Sequence, residues 1–133
     1  MDDQVIFTNG CFDIVHRGHL ELLKFCRTLG TKVIVGLNSD SSVQANKGKN
    51  RPINNEADRK FFLESLVYVD EVIIFEKKTP YDLIKQLKPD IIVKGGEYLK
   101  EEVAGADLAL VIIFDHIDGY STTKAIQSTF NRR

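Results

Sequence analysis

The sequence has no tryptophan and a single methionine. Grooves that capture helical peptides draw on flexible methionine and large aromatic anchors, so this composition gives such a role little support. Its two cysteines, Cys11 and Cys26, are too few for a disulfide framework or a zinc quartet. Neither sign of charge is in excess: 18 Lys and Arg stand against 19 Asp and Glu, for a net charge of -1. That balance lacks the electrostatic footprint of a nucleic-acid or membrane-surface partner. Any anion must then be held by a local site. No apolar run approaches the ~20 residues of a membrane span. The opening Met1-Asp2-Asp3-Gln4 is acidic and lacks the apolar centre of a secretory signal. A soluble, reducing, cytoplasmic setting is expected. Neither GxGxxG nor GxxxxGK with a following Ser or Thr occurs, which disfavours a dinucleotide-binding dehydrogenase and a P-loop kinase. Repeats, low-complexity tracts and linkers are also missing. What remains is 133 residues with 43% hydrophobic and 28% charged side chains, the profile of one domain with a sizeable core.

Apolar β-branched runs alternate with helical patterns. Val5-Ile6-Phe7 reads as a strand closed by a turn at Asn9-Gly10. Leu20, Leu23, Cys26 and Leu29 are spaced as one helix face, with Gly30 as a C-cap. Residues 33–37 form a second buried strand. Residues 38–55 are polar and without apolar period, and are expected as a long functional loop. A helix follows over 56–69, with Phe62, Leu63, Leu66 and Val69 inward, then a strand over 72–75. Thr79 and Pro80 open another helix as N-cap and first residue, and Pro89 ends it. Strands over 90–93 and 108–114 flank a turn at Gly95-Gly96, and a last helix covers 121–130.

Continuous apolar strands separated by helices predict an α/β fold: one Rossmann-like parallel sheet of about five strands, with helices on both faces. Ligands of such sheets lie beyond the carboxyl ends of the strands, near the point where strand order reverses. That edge gathers residues 8–19, 38–51, 94–98 and 115–123. The unusual polar residues of the chain fall in these same four segments.

The sharpest of them is Thr8-Asn9-Gly10-Cys11-Phe12-Asp13, continuing to His16-Arg17-Gly18-His19. His16 and His19 share one face of a helical turn. Gly18 lets a ligand approach the backbone, and the free N–H groups of a helix start favour phosphate. Two imidazoles at a helix N-terminus can hold a triphosphate and stabilise charge as a phosphorus centre is attacked. Alone, such a pair reads more readily as two surface histidines or half of a metal site. Its place after the first strand of a parallel sheet favours the phosphate reading. Lys47 and Lys49 are cations in the polar stretch that could close over phosphates; Lys49 reads equally as solvated charge. Ser121-Thr122-Thr123 put three hydroxyls at a helix start, where a cap needs one. Lys94 ends a buried strand at the ligand edge.

These segments resemble the cytidylyltransferase-like nucleotidyltransferases with their HxGH signature. Matching positions run through nearly the whole chain: Asn38-Ser39-Asp40, Lys47-Gly48, Arg51-Pro52, Arg59, Tyr68-Val69-Asp70, Lys94-Gly95-Gly96-Glu97-Tyr98 and Gly119-Tyr120-Ser121-Thr122-Thr123. Within the family, the TNGCFD start and the KGG-acidic-Tyr turn are most similar to bacterial heptose 1-phosphate adenylyltransferases, which stand alone or as the second domain of a bifunctional kinase–adenylyltransferase.

The resemblance implies one nucleotidyltransferase domain over residues 1–133. It would move a nucleoside monophosphate from a nucleoside triphosphate, ATP favoured, to a phosphorylated sugar, and release pyrophosphate. It implies that His16, His19 and Lys47 are catalytic. Thr8, Asn9, Gly10, Phe12, Gly18, Arg59, Lys94, Gly95, Ser121, Thr122 and Thr123 would bind the nucleotide, and Asp13 and Arg51 the acceptor. Mg²⁺ would ride on the triphosphate, with no dedicated metal residues. A homodimer is expected, with no nucleic-acid or membrane partner. The family chemistry needs no thiol, so both cysteines read as structural.

A CTP-dependent enzyme acting on glycerol 3-phosphate is the alternative. Against it, that group has an arginine where Val67 stands, another where His116 stands, and acidic residues nearer the second glycine of the Gly95-Gly96 turn. The heptose pattern is also departed from: residues 105–111 are shorter than usual, as if a short helix were missing, and Tyr120 replaces a small residue. A nucleotide-binding module without turnover is a third reading, which the intact histidines, Lys47 and Ser-Thr-Thr segment oppose.

Overall fold

A computed structural model describes residues 3–114 of the protein. Strands and helices alternate as β1 (Val5–Gly10), α1 (Arg17–Leu29), β2 (Lys32–Asn38), α2 (Asp40–Lys47), α3 (Glu56–Glu64), β3 (Glu71–Phe75), α4 (Tyr81–Leu87), β4 (Ile91–Gly95) and β5 (Leu110–Phe114), with a 3₁₀ turn at Lys100–Glu102. The expected last helix, together with His116, Gly119, Tyr120 and the Ser121-Thr122-Thr123 run, lies outside the described residues.

All five strands are parallel, in the order β3-β2-β1-β4-β5. Parallel pairing demands crossovers, and the helices supply them on both faces. Alternation along β2 sorts the core. Val33, Val35 and Leu37 meet Leu22, Leu23 and Cys26 of α1 and Leu63 of α3, whereas Ile34 joins Phe7, Ile92 and Ile84 of α4 on the opposite face. Fully burying each such aliphatic or aromatic side chain contributes about 1.5–3 kcal/mol. Gly36 is required in β2 because a Cβ there would stand 2.6 Å from Phe7 Cζ on the neighbouring strand.

Several expectations need correction. No turn forms at Asn9-Gly10; β1 runs on, with Gly10 in register with Leu37. Gly30 is the C-cap of α1 as expected, but in extended rather than left-handed backbone. Its lack of a side chain is used for close approach, since a Cβ would lie 2.5 Å from the Gln4 carbonyl oxygen. Residues 38–55 are not one loop. Ser39 accepts from the Ser42 N–H and starts α2. The helix expected to reach residue 69 stops at Glu64; Val69 is still buried, while Phe62 faces outward, 46% exposed. Pro80 is the N-cap of α4 rather than its first residue. The shortened 105–111 stretch follows the 3₁₀ turn as consecutive turns leading into β5.

Candidate active site

Strand order reverses at the β1–β4 boundary: the chain leaves β1 toward β2 and β3, then returns to β4 on the other side. The crevice at the carboxyl ends of β1 and β4 is therefore the expected ligand site. β1 leads directly into its two chemical features.

The first is the start of α1. Phe12 turns the chain with a positive φ of 46°, a conformation that a non-glycine residue adopts at a cost of order 1–3 kcal/mol. Its ring is buried and packs against His19, with centroids 5.3 Å apart. His16 is then the N-cap: its Nδ1 accepts from the Gly18 N–H at 3.0 Å, while His19 Nδ1 accepts from the His16 N–H at 3.1 Å. This is a capping box built from two histidines instead of Ser and Glu. A ring nitrogen that accepts a backbone N–H carries no proton, so each neutral imidazole holds its proton on Nε2. The rings lie 4.1 Å apart, and the first turn of α1 contains no acidic residue. The positive end of the helix thus carries two imidazole N–H donors and no carboxylate of its own.

The second is a cleft of about 410 Å³. Asn9, Gly10 and Cys11 at the end of β1 and Asn38 at the end of β2 form one part; Asn46 and Lys47 of α2, with Lys78 and Thr79, form a wall; Lys94, Tyr98 and Glu102 close it from beyond β4. Lys94 is half-buried, with Nζ 5.4 Å from the centre of the Tyr98 ring. Burial pushes its ammonium below the ordinary 10.5; the nearby Cys11 thiol acts in the opposite sense and Lys47 adds a smaller lowering. A partly desolvated ammonium of this kind, with no ion-pair partner among the described residues, is stabilised by an anion. Helix α2 is held over the cleft by side chains. Asn38 Nδ2 donates to Ser42 Oγ at 2.9 Å, Ser42 Oγ donates to the Lys77 carbonyl at 3.0 Å, and Asn46 Nδ2 reaches the Lys78 carbonyl at 3.4 Å.

Three residues expected to contact ligand have inward hydrogen-bonding duties. Arg59 is 2% exposed. It donates to the carbonyls of Cys11, Asn38 and Asn54 at 2.7, 2.8 and 2.9 Å and to Asp40 at 2.8 Å. It ties the ends of β1 and β2 to α2 and α3, so its guanidinium is taken up by the protein itself. Asp13, 4% exposed, accepts from the backbone N–H groups of Ile53 and Asn54 and from Arg51 Nε at 2.9 Å. Burial raises its pKa, but those hydrogen bonds and the Arg51 charge outweigh it and hold the carboxyl below the usual 3.8. Asp13 therefore orders residues 51–54. Arg51 is its partner; the Arg51 Nη2 and the hydroxyl of Thr8, which is fully buried within β1, have no hydrogen-bond partner among the described residues. Asn9, Gly10, Lys47 and Lys94 do line the cleft, and Gly95 ends β4 at the same edge. Cys26 is fully buried, and burial pushes its thiol up to about 12. Among the described residues, no three His, Cys, Asp or Glu side chains gather as a metal site.

Asn46, Lys78 and Glu102 also line the cleft but are not legible in the sequence, because neither helix α2 nor the 3₁₀ turn that place two of them carries an apolar period. The available signal was Ser39-Asp40, a capping residue followed by an acidic first-turn residue.

Comparison with known proteins agrees with this geometry. The cytidylyltransferase-like family model matches residues 7–128. Bifunctional protein HldE of a Nitratiruptor species is 51% identical over 125 residues, 93% of this chain and 27% of the relative. HldE of Helicobacter pylori is 50% identical over 129 residues, covering 96% and 28%. The chain thus spans less than a third of the length of these relatives. The crystal structure of a lipopolysaccharide core biosynthesis protein from Thermoplasma volcanium superposes with a TM-score of 0.74 at 26% identity, covering 88% of this chain and all of that one. No helix among the described residues is long and apolar enough to cross a membrane. Fold, matched residues and relatives agree that this chain belongs to the cytidylyltransferase-like family of nucleotidyltransferases.

Proposed function

We propose that the chain, as one domain over residues 1–133, transfers AMP from ATP to heptose 1-phosphate and releases pyrophosphate. The observation that carries this reading is the two-histidine cap at the carboxyl edge of the central strand, beside a lysine-lined cleft at the strand-order reversal. The KGG-acidic-Tyr turn and the HldE relatives support the adenylyl and heptose assignments.

In the reaction, an acceptor phosphate oxygen attacks the α-phosphorus in line. The new O–P bond forms as the bond to the bridging oxygen of the β-phosphate breaks, and the electron pair leaves with pyrophosphate. The attacking phosphate is already an anion, so no residue need remove a proton. Catalysis then rests on positioning and charge stabilisation. His16 and His19 donate from Nε2 to the triphosphate, with the N-terminal N–H groups of α1 beside them. Lys94 and Lys47 hold phosphate oxygens across the cleft. These donors suit phosphate rather than a cation; Mg²⁺ would sit on the phosphate oxygens and waters and neutralise charge there.

The test is pyrophosphate release in Mg²⁺, with ATP and CTP each offered heptose 1-phosphate and glycerol 3-phosphate. Release with ATP and heptose 1-phosphate is expected. A signal confined to CTP and glycerol 3-phosphate would overturn the substrate assignment, and nucleotide binding without turnover on any pair would overturn the enzyme.

A further inference from the structure

Among the described residues the Lys94 ammonium belongs to no ion pair. It lies instead over the ring of Tyr98, four residues on, with Nζ 5.4 Å from the ring centre. That is inside the range of about 6 Å over which the negative face of an aromatic ring attracts a cation. Tyr98 serves no core: it is 49% exposed and belongs to none of the apolar clusters of the fold. The backbone nevertheless holds it from both sides. Before it, Gly96 turns the chain with a positive φ of 110° and donates its N–H to the Phe114 carbonyl at 3.2 Å. After it, the Leu99 N–H donates to Glu102 Oε1 at 3.1 Å, at the start of the 3₁₀ turn. A half-exposed ring gains little from burial, so the cation it faces is the better account of its place.

We propose that Tyr98 is a positioning residue: the face of its ring keeps Lys94 charged and in place in the cleft until phosphate arrives. Burial works against the charged form of Lys94. A carboxylate beside it would offset that cost, but it would also neutralise the charge and repel the incoming phosphate. A ring face offsets part of the cost without a negative charge, so the ammonium stays available to an anion. The other ionisable groups lining the cleft are Cys11 at the end of β1, Lys47 of α2, Lys78 after β3 and Glu102 of the 3₁₀ turn. Cys11 favours the Lys94 charge and Lys47 opposes it, while Glu102 is engaged by the Leu99 N–H. The assignment rests on the proposed transferase reaction for what Lys94 does, and adds the residue that keeps it ready.

The test is the titration of Lys94 in the free protein, followed through the ε-carbon resonance of isotope-labelled lysine and assigned with Lys94→Arg. Wild type, Tyr98→Phe and Tyr98→Leu are compared, with Tm confirming that each is folded. Leucine keeps apolar bulk over the ammonium but lacks the negative ring face, so the Lys94 pKa should fall in Tyr98→Leu by about half a unit to one unit. Tyr98→Phe keeps the face and should titrate with wild type. The pH profile of kcat/KM for ATP, which reports groups of the free enzyme, should follow. A lower pKa removes the positive charge at lower pH, so the alkaline limb should move down by the same amount in Tyr98→Leu and keep its place in Tyr98→Phe. A ring that served only the turn would change Tm and move neither titration. An unmoved Lys94 in Tyr98→Leu, or an equal fall in Tyr98→Phe, would overturn the assignment; a shifted Lys94 with an unmoved limb would overturn its part in the reaction. If wild type released no pyrophosphate with any acceptor, the transferase reading would fail, while the lysine titration would still decide what Tyr98 does.

Discussion

At the residue scale, the site divides into groups that face a ligand and groups that hold the turns. His16 does both in the proposed reaction, through different nitrogens: Nδ1 caps α1 by accepting from the Gly18 N–H, and Nε2 would donate to the triphosphate. Asp13 serves the turns. Its carboxylate satisfies two backbone N–H groups and Arg51, so Asp13→Asn should destabilise the fold by about 2–4 kcal/mol in urea unfolding. The pH dependence has a definite sign. A folded pKa below 3.8 stabilises fully above the unfolded value, and that stability is lost as pH falls through the folded value. Acid titration of stability should therefore be shallower in Asp13→Asn than in wild type. Some slope should persist, because Asp70, hydrogen-bonded to the Val33 N–H and paired with Arg27, is lowered as well. An unchanged acid slope would remove Asp13 from this account.

At the element scale, helix α2 decides the shape of the cleft. It carries Asn46 and Lys47, and its anchorage is the Asn38–Ser42–Lys77 relay. Ser42 is 2% exposed, so Ser42→Ala leaves the Asn38 amide without its acceptor and should cost about 1–3 kcal/mol. Hydrogen exchange of this variant should show faster opening of residues 40–47 than of β1 or β2; uniform protection would contradict the relay. The same helix shows where sequence patterning fails. The five strands were legible because a parallel sheet buries both faces and leaves continuous apolar runs such as 33–37. Helix α2 has only Ser42 and Val43 buried, too few to imprint a 3.6-residue apolar period. Phe62 misled in the opposite direction, being a large apolar residue that α3 leaves exposed.

At the scale of the whole molecule, the topology places one loop from each half of the sheet at a single edge. The His16–His19 pair and Lys94 were legible there because the strand–helix alternation fixes which ends of the strands meet. The inward roles of Asp13 and Arg59 were not legible, since a charged side chain near a ligand edge looks alike in sequence whether it faces solvent or a cluster of backbone groups. In the proposed reaction the histidine cap is the chemical centre, apart from its service to the fold. Asparagine is itself a favoured N-cap, so His16→Asn removes the imidazole while keeping a cap on α1. The decisive measurement is pyrophosphate release from ATP and heptose 1-phosphate by wild type and His16→Asn at equal folded concentration. A fall of about 10²–10³ in kcat, with Tm nearly unchanged, is predicted. Turnover within a few-fold of wild type would contradict the account.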